Sequence, residues 1–233
     1  MASSQLPGLR LADEFFLAAH DHEATRMRPR LQPVVLSLGL TGALLTELML
    51  DGRVGQTDDY ILAANLRAAR TGRHRADGHG SDEISEQITE RIARHPGQPV
   101  SAWLSELRHD VTDGVVARLF AAGLLREVRA RRWWGGSSME YHAVDPNRAM
   151  GPEARIFGLM RNRGADTSLN AVLLAGLVDA TGLREKLPAW DLPATEVRTM
   201  MSRLRAGLPA PLHHLLADVE TSVGAALLST GHH

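Results

Sequence analysis

The spacing of apolar positions predicts a mostly helical chain. The strongest run extends from Pro33 to Leu50 and carries leucines three and four residues apart, which is typical of a helix buried on most of its sides. Gly39 and Gly42 within this run would let neighbouring helices approach closely. We therefore expect this segment to be the central helix of the core.

Shorter helical patterns precede and follow the central run. They cover residues 9–21, 81–95, 99–107, 112–122 and, with several breaks, 152–228. Residues 54–61 fit a short strand pair or a loop, and the polar, Gly-rich segment 71–81 fits an exposed loop. The expected fold class is mainly α: a single helical domain (residues 9–228) around a central buried helix bundle, with one protruding β-hairpin. Residues 1–8 and 229–233 are expected to be tails.

The hairpin is predicted at residues 126–144. Gly135-Gly136 is a turn signal between two runs that can pair as antiparallel strands. The first run ends in charged and aromatic residues: Arg129, Arg131, Arg132, Trp133 and Trp134. Indoles at a hairpin tip are covered by the protein's own surface, lie in a subunit interface or contact a partner, and adjacent arginines favour an anionic partner.

Composition narrows the classes of function. The 233 residues carry a formal net charge of -1, so attraction to an anion must come from a local patch. The chain has no cysteine, which excludes disulfides, thiolate zinc sites and cysteine nucleophiles and fits a reducing cytoplasm. No apolar stretch is expected to reach the length of a membrane span, so any membrane contact would be peripheral.

The sequence predicts no enzyme and no cofactor. It has no Gly-x-Ser-x-Gly, Gly-x-Gly-x-x-Gly or His-Glu-x-x-His motif. Two histidine clusters lack a third spaced ligand, so no metal site is expected: His20-x-His22 and His213-His214. Three pairs of adjacent acids are expected to cap helices or to be solvated: Asp13-Glu14, Asp58-Asp59 and Asp82-Glu83.

Two binding functions fit the hairpin. It could be the wing of a winged helix that binds DNA. The residues of the preceding helix that would read bases, Asp113-Gly114-Val115-Val116-Ala117, lack the Arg, Asn or Gln that typically recognise base edges, so nucleic acid is the less favoured partner. Alternatively, the tryptophans enter the interface of a bilayer while the hairpin arginines contact anionic head groups. A single hairpin would bind weakly, so a homo-oligomer would strengthen attachment.

The order of several motifs resembles the Golgi phosphoprotein 3 family, in its bacterial, actinomycete-like branch. The resemblance extends over about residues 9–228. Its motifs are Leu9-x-Leu-Ala-Asp-Glu-Phe-Phe-Leu-Ala-Ala, Leu38-Gly-Leu-Thr-Gly-Ala-Leu-Leu-Thr-Glu-Leu, Asp51-Gly-Arg-Val, and Val116-Ala-Arg-Leu-Phe-Ala-Ala-Gly-Leu-Leu before the hairpin.

The resemblance implies a mainly α-helical domain, a β-hairpin that inserts into membranes, and a basic pocket for phosphatidylinositol 4-phosphate. It places Trp133 and Trp134 at the apolar tip of the hairpin. The pocket aligns only in part, because Thr41, His109 and Thr112 stand where the eukaryotic pattern has arginines, and an aromatic residue of that pattern falls near Gln32. Arg108 and His109 are the remaining candidates for an anionic site beside the hairpin.

The resulting hypothesis is a non-enzymatic, cytoplasmic protein that is peripheral to the inner face of the membrane. It would bind anionic lipid, either phosphatidylinositol 4-phosphate or another anionic head group, through the Arg/Trp hairpin. The resemblance also implies an adaptor role, in which the chain would bind client proteins.

Overall fold

The computed structural model describes residues 8–21, 26–57, 60–63, 82–131, 137–161, 168–187 and 192–230. In these residues the helices are α1 (Leu11–Ala18), α2 (Pro33–Leu50), α3 (Glu83–Arg94), α4 (Val100–Leu107), α5 (Val111–Ala121), α6 (Pro146–Ala149), α7 (Gly151–Arg161), α8 (Leu169–Ala180), α9 (Ala194–Ala206) and α10 (Ala210–Thr230). A 3₁₀ helix spans Leu183–Lys186. The predicted mainly α class is confirmed.

The strands are short and form separate antiparallel sheets. They are β1 (His20–Asp21), β2 (Arg28–Pro29), β3 (Val54–Thr57), β4 (Tyr60–Ala63), β5 (Gln98–Pro99), β6 (Leu125–Arg131) and β7 (Ser137–Ala143). Strand β1 pairs with β2, β3–β4–β5 form a second sheet in that order, and β6 pairs with β7. The strand pair expected as one option near residue 54 is present as β3 and β4, whereas the loop predicted at residues 71–81 lies outside the described residues.

Helix α2 is the centre of the core, as predicted. It begins at Pro33, whose missing N–H is no loss in the first turn of a helix. Its side chains from Val35 to Leu48 are buried, and it packs against α1, α4, α5, α8 and α10. One continuous apolar cluster therefore links helices from both ends of the chain.

The same helix corrects the expectation that no apolar stretch reaches the length of a membrane span. Its 18 residues are long and apolar enough, by length and composition, to cross a bilayer. Most of the helix is buried against its neighbours, as in the core helix of a globular domain. No other helix in the described ranges combines this length with this composition.

Two glycines let α2 pack closely against α1 and α10. A Cβ atom at Gly39 would lie 2.4 Å from ring carbons of Phe15, and one at Gly42 would lie 2.5 Å from Cγ2 of Val219. Both distances are far below van der Waals contact, so any larger residue must displace a core side chain. The predicted role of these small residues is confirmed.

Candidate functional site

The hairpin begins where a glycine ends α5. Gly123 has a φ of 67°, and the N–H of Leu124 donates to the carbonyl of Leu119 over 2.9 Å. This left-handed turn stops the helix and directs the chain into β6. The register then pairs Leu125 with Ala143 at the base. Strands β6 and β7 lie where the sequence predicted the hairpin.

Contacts on both sides fix the base of the hairpin to the helical core. The ring of Tyr141 packs edge-on against Phe120 of α5, with 5.7 Å between the ring centroids. The N–H of Met27 donates to the carbonyl of Tyr141 over 3.0 Å, and Arg26 makes a 2.8 Å ion pair with Glu140. The base is therefore held by α5 and by the connection between α1 and α2.

Two of the hairpin arginines are described in full. Arg126 and Arg129 are exposed on β6, and neither makes an ion pair with another described residue. Arg131 is the last residue of β6, but its side chain lies outside the described part of the chain. Arg132, Trp133 and Trp134 also lie outside it.

Arg108 and His109 connect α4 to α5. His109 is exposed, and Arg108 is partly buried with no hydrogen-bond acceptor at its Nε among the described residues. Arg108 and His109 lie before the N-terminal end of α5, whereas the hairpin begins after its C-terminal end. The 11 residues of α5 make this helix about 16 Å long, at 1.5 Å per residue. No described hydrogen bond or ion pair joins these two residues to the hairpin.

The positions where the eukaryotic pattern has pocket residues differ in exposure. Thr41 is fully buried on α2, and its hydroxyl donates to the carbonyl of Ser37 over 2.8 Å. Thr112 is partly buried in the first turn of α5, and Gln32 is exposed just before α2. Thr41 is therefore part of the core and is not accessible to a ligand in solvent.

A largely buried ion-pair cluster surrounds Arg118, and it was not predicted from the sequence. Arg118, in the last turns of α5, makes ion pairs with Asp13 of α1 (2.8 Å), Glu47 of α2 (3.0 Å) and Asp82 beside α3 (2.9 Å). Arg10 adds pairs to Glu47 (2.9 Å) and Asp82 (2.5 Å). One guanidinium therefore links four segments and fixes the helix that leads into the hairpin.

This cluster corrects part of the prediction that the acidic pairs cap helices or are solvated. The capping contact is present at Asp13, and Glu83 is exposed in the first turn of α3, but Asp82 is an ion-pair partner. Asp58-Asp59 lies outside the described residues. Asp13 and Glu14 are both buried; Asp13 also accepts a hydrogen bond from the N–H of Arg10 at the start of α1, and Glu14 pairs with Arg155. The signal that could have found the cluster is an isolated charge within an apolar run, which Glu47 and Arg118 both are.

Burial and charge shift the pKa values in the cluster in different directions. Burial raises the pKa of Asp13 and of Glu47 above their ordinary values, although Arg118 opposes the shift. Burial also opposes ionisation of Asp82, but the arginines and the hydroxyl of Ser85 outweigh it and lower that pKa. Burial would lower the pKa of Arg118, yet the carboxylates raise it, so this guanidinium stays charged.

The structure weighs against a winged helix that reads DNA. The exposed positions of α5 include Asp113, Ala117 and Ala121, which offer no donor to a base edge or a phosphate. Gly114 lies so close to α3 that a Cβ there would be 2.7 Å from Ile84. The middle of α5 is therefore packed against the protein, and its exposed face is acidic or apolar.

The histidine cluster near residue 20 is explained in part by packing. The ring of His20 is buried, and its Nδ1 lies 2.7 Å from the carbonyl oxygen of Phe16. The centroids of the His20 and Phe16 rings are 4.2 Å apart. His22 lies outside the described residues. Across the described ranges, no three His, Asp or Glu side chains are arranged to hold a metal ion.

Comparison with known proteins gives one family. A search of the curated proteins returned no match. The family model described as Golgi phosphoprotein 3 (GPP34) matches residues 11–225, which include α1, α2, α5 and the hairpin. The match covers the same region as the motif order noted in the sequence. The chain therefore belongs to the Golgi phosphoprotein 3 (GPP34) family.

Proposed function

We propose that this protein is a non-enzymatic, peripheral membrane protein that binds anionic lipid through the hairpin. One observation carries the proposal: the hairpin base is anchored to the core, while β6 presents Arg126 and Arg129 exposed and without an ion pair to any described residue. Membership of the GPP34 family fits a lipid-binding role at the family level. Trp133 and Trp134 follow in the sequence, where the family resemblance places the apolar tip.

The expected energies suit reversible attachment. An arginine near an anionic leaflet contributes on the order of 1 kcal/mol. A tryptophan at the interface adds apolar burial at about 25 cal/mol per Å² together with an N–H that can bond to head groups. One hairpin would therefore bind weakly, and its affinity would fall with rising salt.

The residues at the aligned pocket positions favour binding of anionic lipids in general over selective binding of one phosphoinositide. Thr41 stands in the core where the eukaryotic pattern has a pocket arginine, and His109 and Thr112 replace two others. Arg108 and His109 would add a second, less selective contact with anionic head groups. We place the protein at the inner face of the membrane, where it would act as an adaptor for protein clients.

Co-sedimentation with vesicles tests this function. Vesicles of phosphatidylcholine with a rising fraction of phosphatidylserine should pellet the wild-type protein in proportion to the anionic fraction. Trp133→Ala/Trp134→Ala should weaken partition at least tenfold, because the apolar anchor is removed. Arg131→Ala/Arg132→Ala should weaken it about 30-fold, at roughly 1 kcal/mol for each arginine.

The matched control removes two arginines elsewhere. Arg91 and Arg94 lie on α3 and pair with carboxylates on the protein surface, so Arg91→Ala/Arg94→Ala should pellet like the wild type. Equal pelleting of the hairpin and control variants would refute the proposal, as would no pelleting at any composition. Vesicles that carry phosphatidylinositol 4-phosphate at matched total charge should bind no better than those with phosphatidylserine.

A further inference from the structure

Three contacts of β7 attach the hairpin to the helical core, and they approach the strand from three directions. Successive side chains of a strand point to opposite faces, so Glu140 and Tyr141 lie on different sides of the hairpin. Tyr141 packs against Phe120 of α5 on one face, and Glu140 pairs with Arg26 over 2.8 Å on the other. The third contact is the bond from the N–H of Met27 to the carbonyl of Tyr141, at the edge of β7.

This arrangement opposes rotation of the hairpin about its edge. Any rotation about the bond between Met27 and Tyr141 separates the contacting groups on at least one face. Without the ion pair of Glu140, only the contact between the rings of Tyr141 and Phe120 would oppose such a rotation. The ion pair therefore holds the face of the hairpin that the ring contact leaves unsupported.

The length of the hairpin makes its end sensitive to this angle. The last described strand pair, Arg131 and Ser137, lies three residues beyond Glu140, which is about 10 Å along the strand. A rotation of about 20° at the base would move that end by about 3.5 Å. This is an appreciable part of the depth, about 5–10 Å, to which an interfacial segment enters a bilayer.

The surroundings of Glu140 favour a firm contact with Arg26. The side chain of Glu140 is only 16% exposed, and its Oε2 lies 3.9 Å from Nε2 of His142. Arg126 of β6 is opposite His142 in the strand register, so it shares the face of Glu140. Because the carboxylate is largely shielded from water and lies among basic side chains, it attracts a guanidinium more strongly than an exposed carboxylate would.

We propose that Glu140 is a positioning residue, whose ion pair with Arg26 sets the angle at which the hairpin leaves the helical core. This angle decides how deeply the end of the hairpin reaches into a bilayer. The effect on membrane binding rests on the proposed function, whereas the effect on the angle does not.

Distances between two spin labels measure the angle, since the chain has no cysteine of its own. One label is attached at Ser137→Cys, at the far end of β7, and the other at Ser105→Cys or Ser202→Cys, which are exposed on α4 and α9. The wild type should give one narrow distance distribution from each helix. Glu140→Thr should at least double its width, because threonine favours strands but is too short to reach Arg26.

Variants of Arg26 show whether the effect passes through the ion pair. Arg26→Met should broaden the distribution as Glu140→Thr does, whereas Arg26→Lys, which keeps the charge, should leave it narrow. The double variant Arg26→Met/Glu140→Thr should be no broader than either single variant. The control is Arg94→Met, which removes a surface pair on α3 and should change nothing. Wild-type widths in both single variants, or additive broadening in the double variant, would overturn the proposal.

Urea unfolding separates positioning from a general structural role. Arg26 is 44% exposed, and pairs at such sites contribute little to global stability. The unfolding midpoints of Glu140→Thr and Arg26→Met should therefore stay close to that of the wild type. A large fall in both midpoints would show that the pair stabilises the whole fold, and would overturn the positioning role.

Vesicle binding gives a change of opposite sign to the one that charge alone predicts. Glu140→Thr removes a negative charge from the hairpin, so electrostatics alone would increase its partition into vesicles containing phosphatidylserine. Loss of the correct angle should instead lower the partition at least threefold. A rise would overturn the effect on membrane binding. If the wild type itself does not pellet, the proposed function is wrong, and the distance distributions alone decide the role of Glu140.

Discussion

Arg118→Met is expected to lower the free energy of unfolding by about 3–5 kcal/mol, the usual effect of removing one partner from a buried ion pair. Methionine fills much of the space of the arginine stem but leaves Asp13, Glu47 and Asp82 without the guanidinium that links them. In a chain of this size the midpoint of thermal unfolding should fall by about 6–20 °C. Arg118→Lys should be intermediate, because one ammonium cannot replace the planar guanidinium that spans three carboxylates.

The pH dependence of the stability lost in Arg118→Met shows whether the loss is electrostatic. Arg118 lowers the pKa of all three carboxyl groups, so each folded-state pKa should be higher in the variant than in the wild type. A group whose pKa is raised by folding contributes stability that is present at low pH and lost as the pH rises through the folded value. The difference between wild type and Arg118→Met should therefore shrink as the pH falls from about 8 toward 4.5.

Chemical denaturation at several pH values gives this measurement. Arg94→Met is the matched control, because Arg94 makes a single exposed pair with Glu90 and such pairs contribute little to stability. Its effect should stay below about 0.5 kcal/mol at every pH. A loss for Arg118→Met that is the same at both ends of the pH range would show that packing, and not charge, explains it.

Phe15 and Gly39 should show strong coupling in a double-mutant cycle. Phe15→Ala removes a fully buried ring and should destabilise the protein by about 3–5 kcal/mol. Gly39→Ala drives a Cβ into that ring and should cost about 1–3 kcal/mol. In the double variant the new methyl group enters the vacated space, so the combined loss should be smaller than the sum by about 1 kcal/mol or more.

The control for this cycle is an exposed helical glycine with open space around it. A Cβ at Gly224 on α10 would meet nothing within 4 Å. Gly224→Ala should therefore stabilise the protein by about 0.5–1 kcal/mol, since alanine favours the helix more than glycine does. Purely additive losses for Phe15 and Gly39 in urea unfolding would mean that α1 and α2 do not approach as closely as described.

Periodicity was sufficient to predict the helical class, the central helix α2 and the position of the hairpin. These features depend on local patterns: the leucine spacing in Pro33–Leu50, the stop at Gly123 and the two runs around Gly135-Gly136. Each pattern lies within a short run of consecutive residues, so the sequence alone is enough to predict the element.

The ion-pair cluster could not be predicted in the same way. Arg118 is separated from Asp13 by 105 residues and from Glu47 by 71, and only the packing of α1, α2 and α5 brings them together. Paired acids such as Asp13-Glu14 look the same in sequence whether they cap a helix or face a buried arginine. The candidate site residues at the hairpin tip and at Arg108 remain predictions, which binding experiments must test.

The central claim is that the hairpin is the part of the molecule that enters the membrane. Fluorescence quenching by lipids brominated near the head-group end of the acyl chain measures this directly when the wild type and the hairpin variant both carry Trp190→Phe. The other tryptophan outside the hairpin, Trp103, is fully buried in the core and reports no contact. The wild type bound to phosphatidylserine vesicles should be quenched, and Trp133→Ala/Trp134→Ala, bound at higher lipid concentration, should not. Bound wild type without quenching, or equal quenching in the double variant, would contradict the claim.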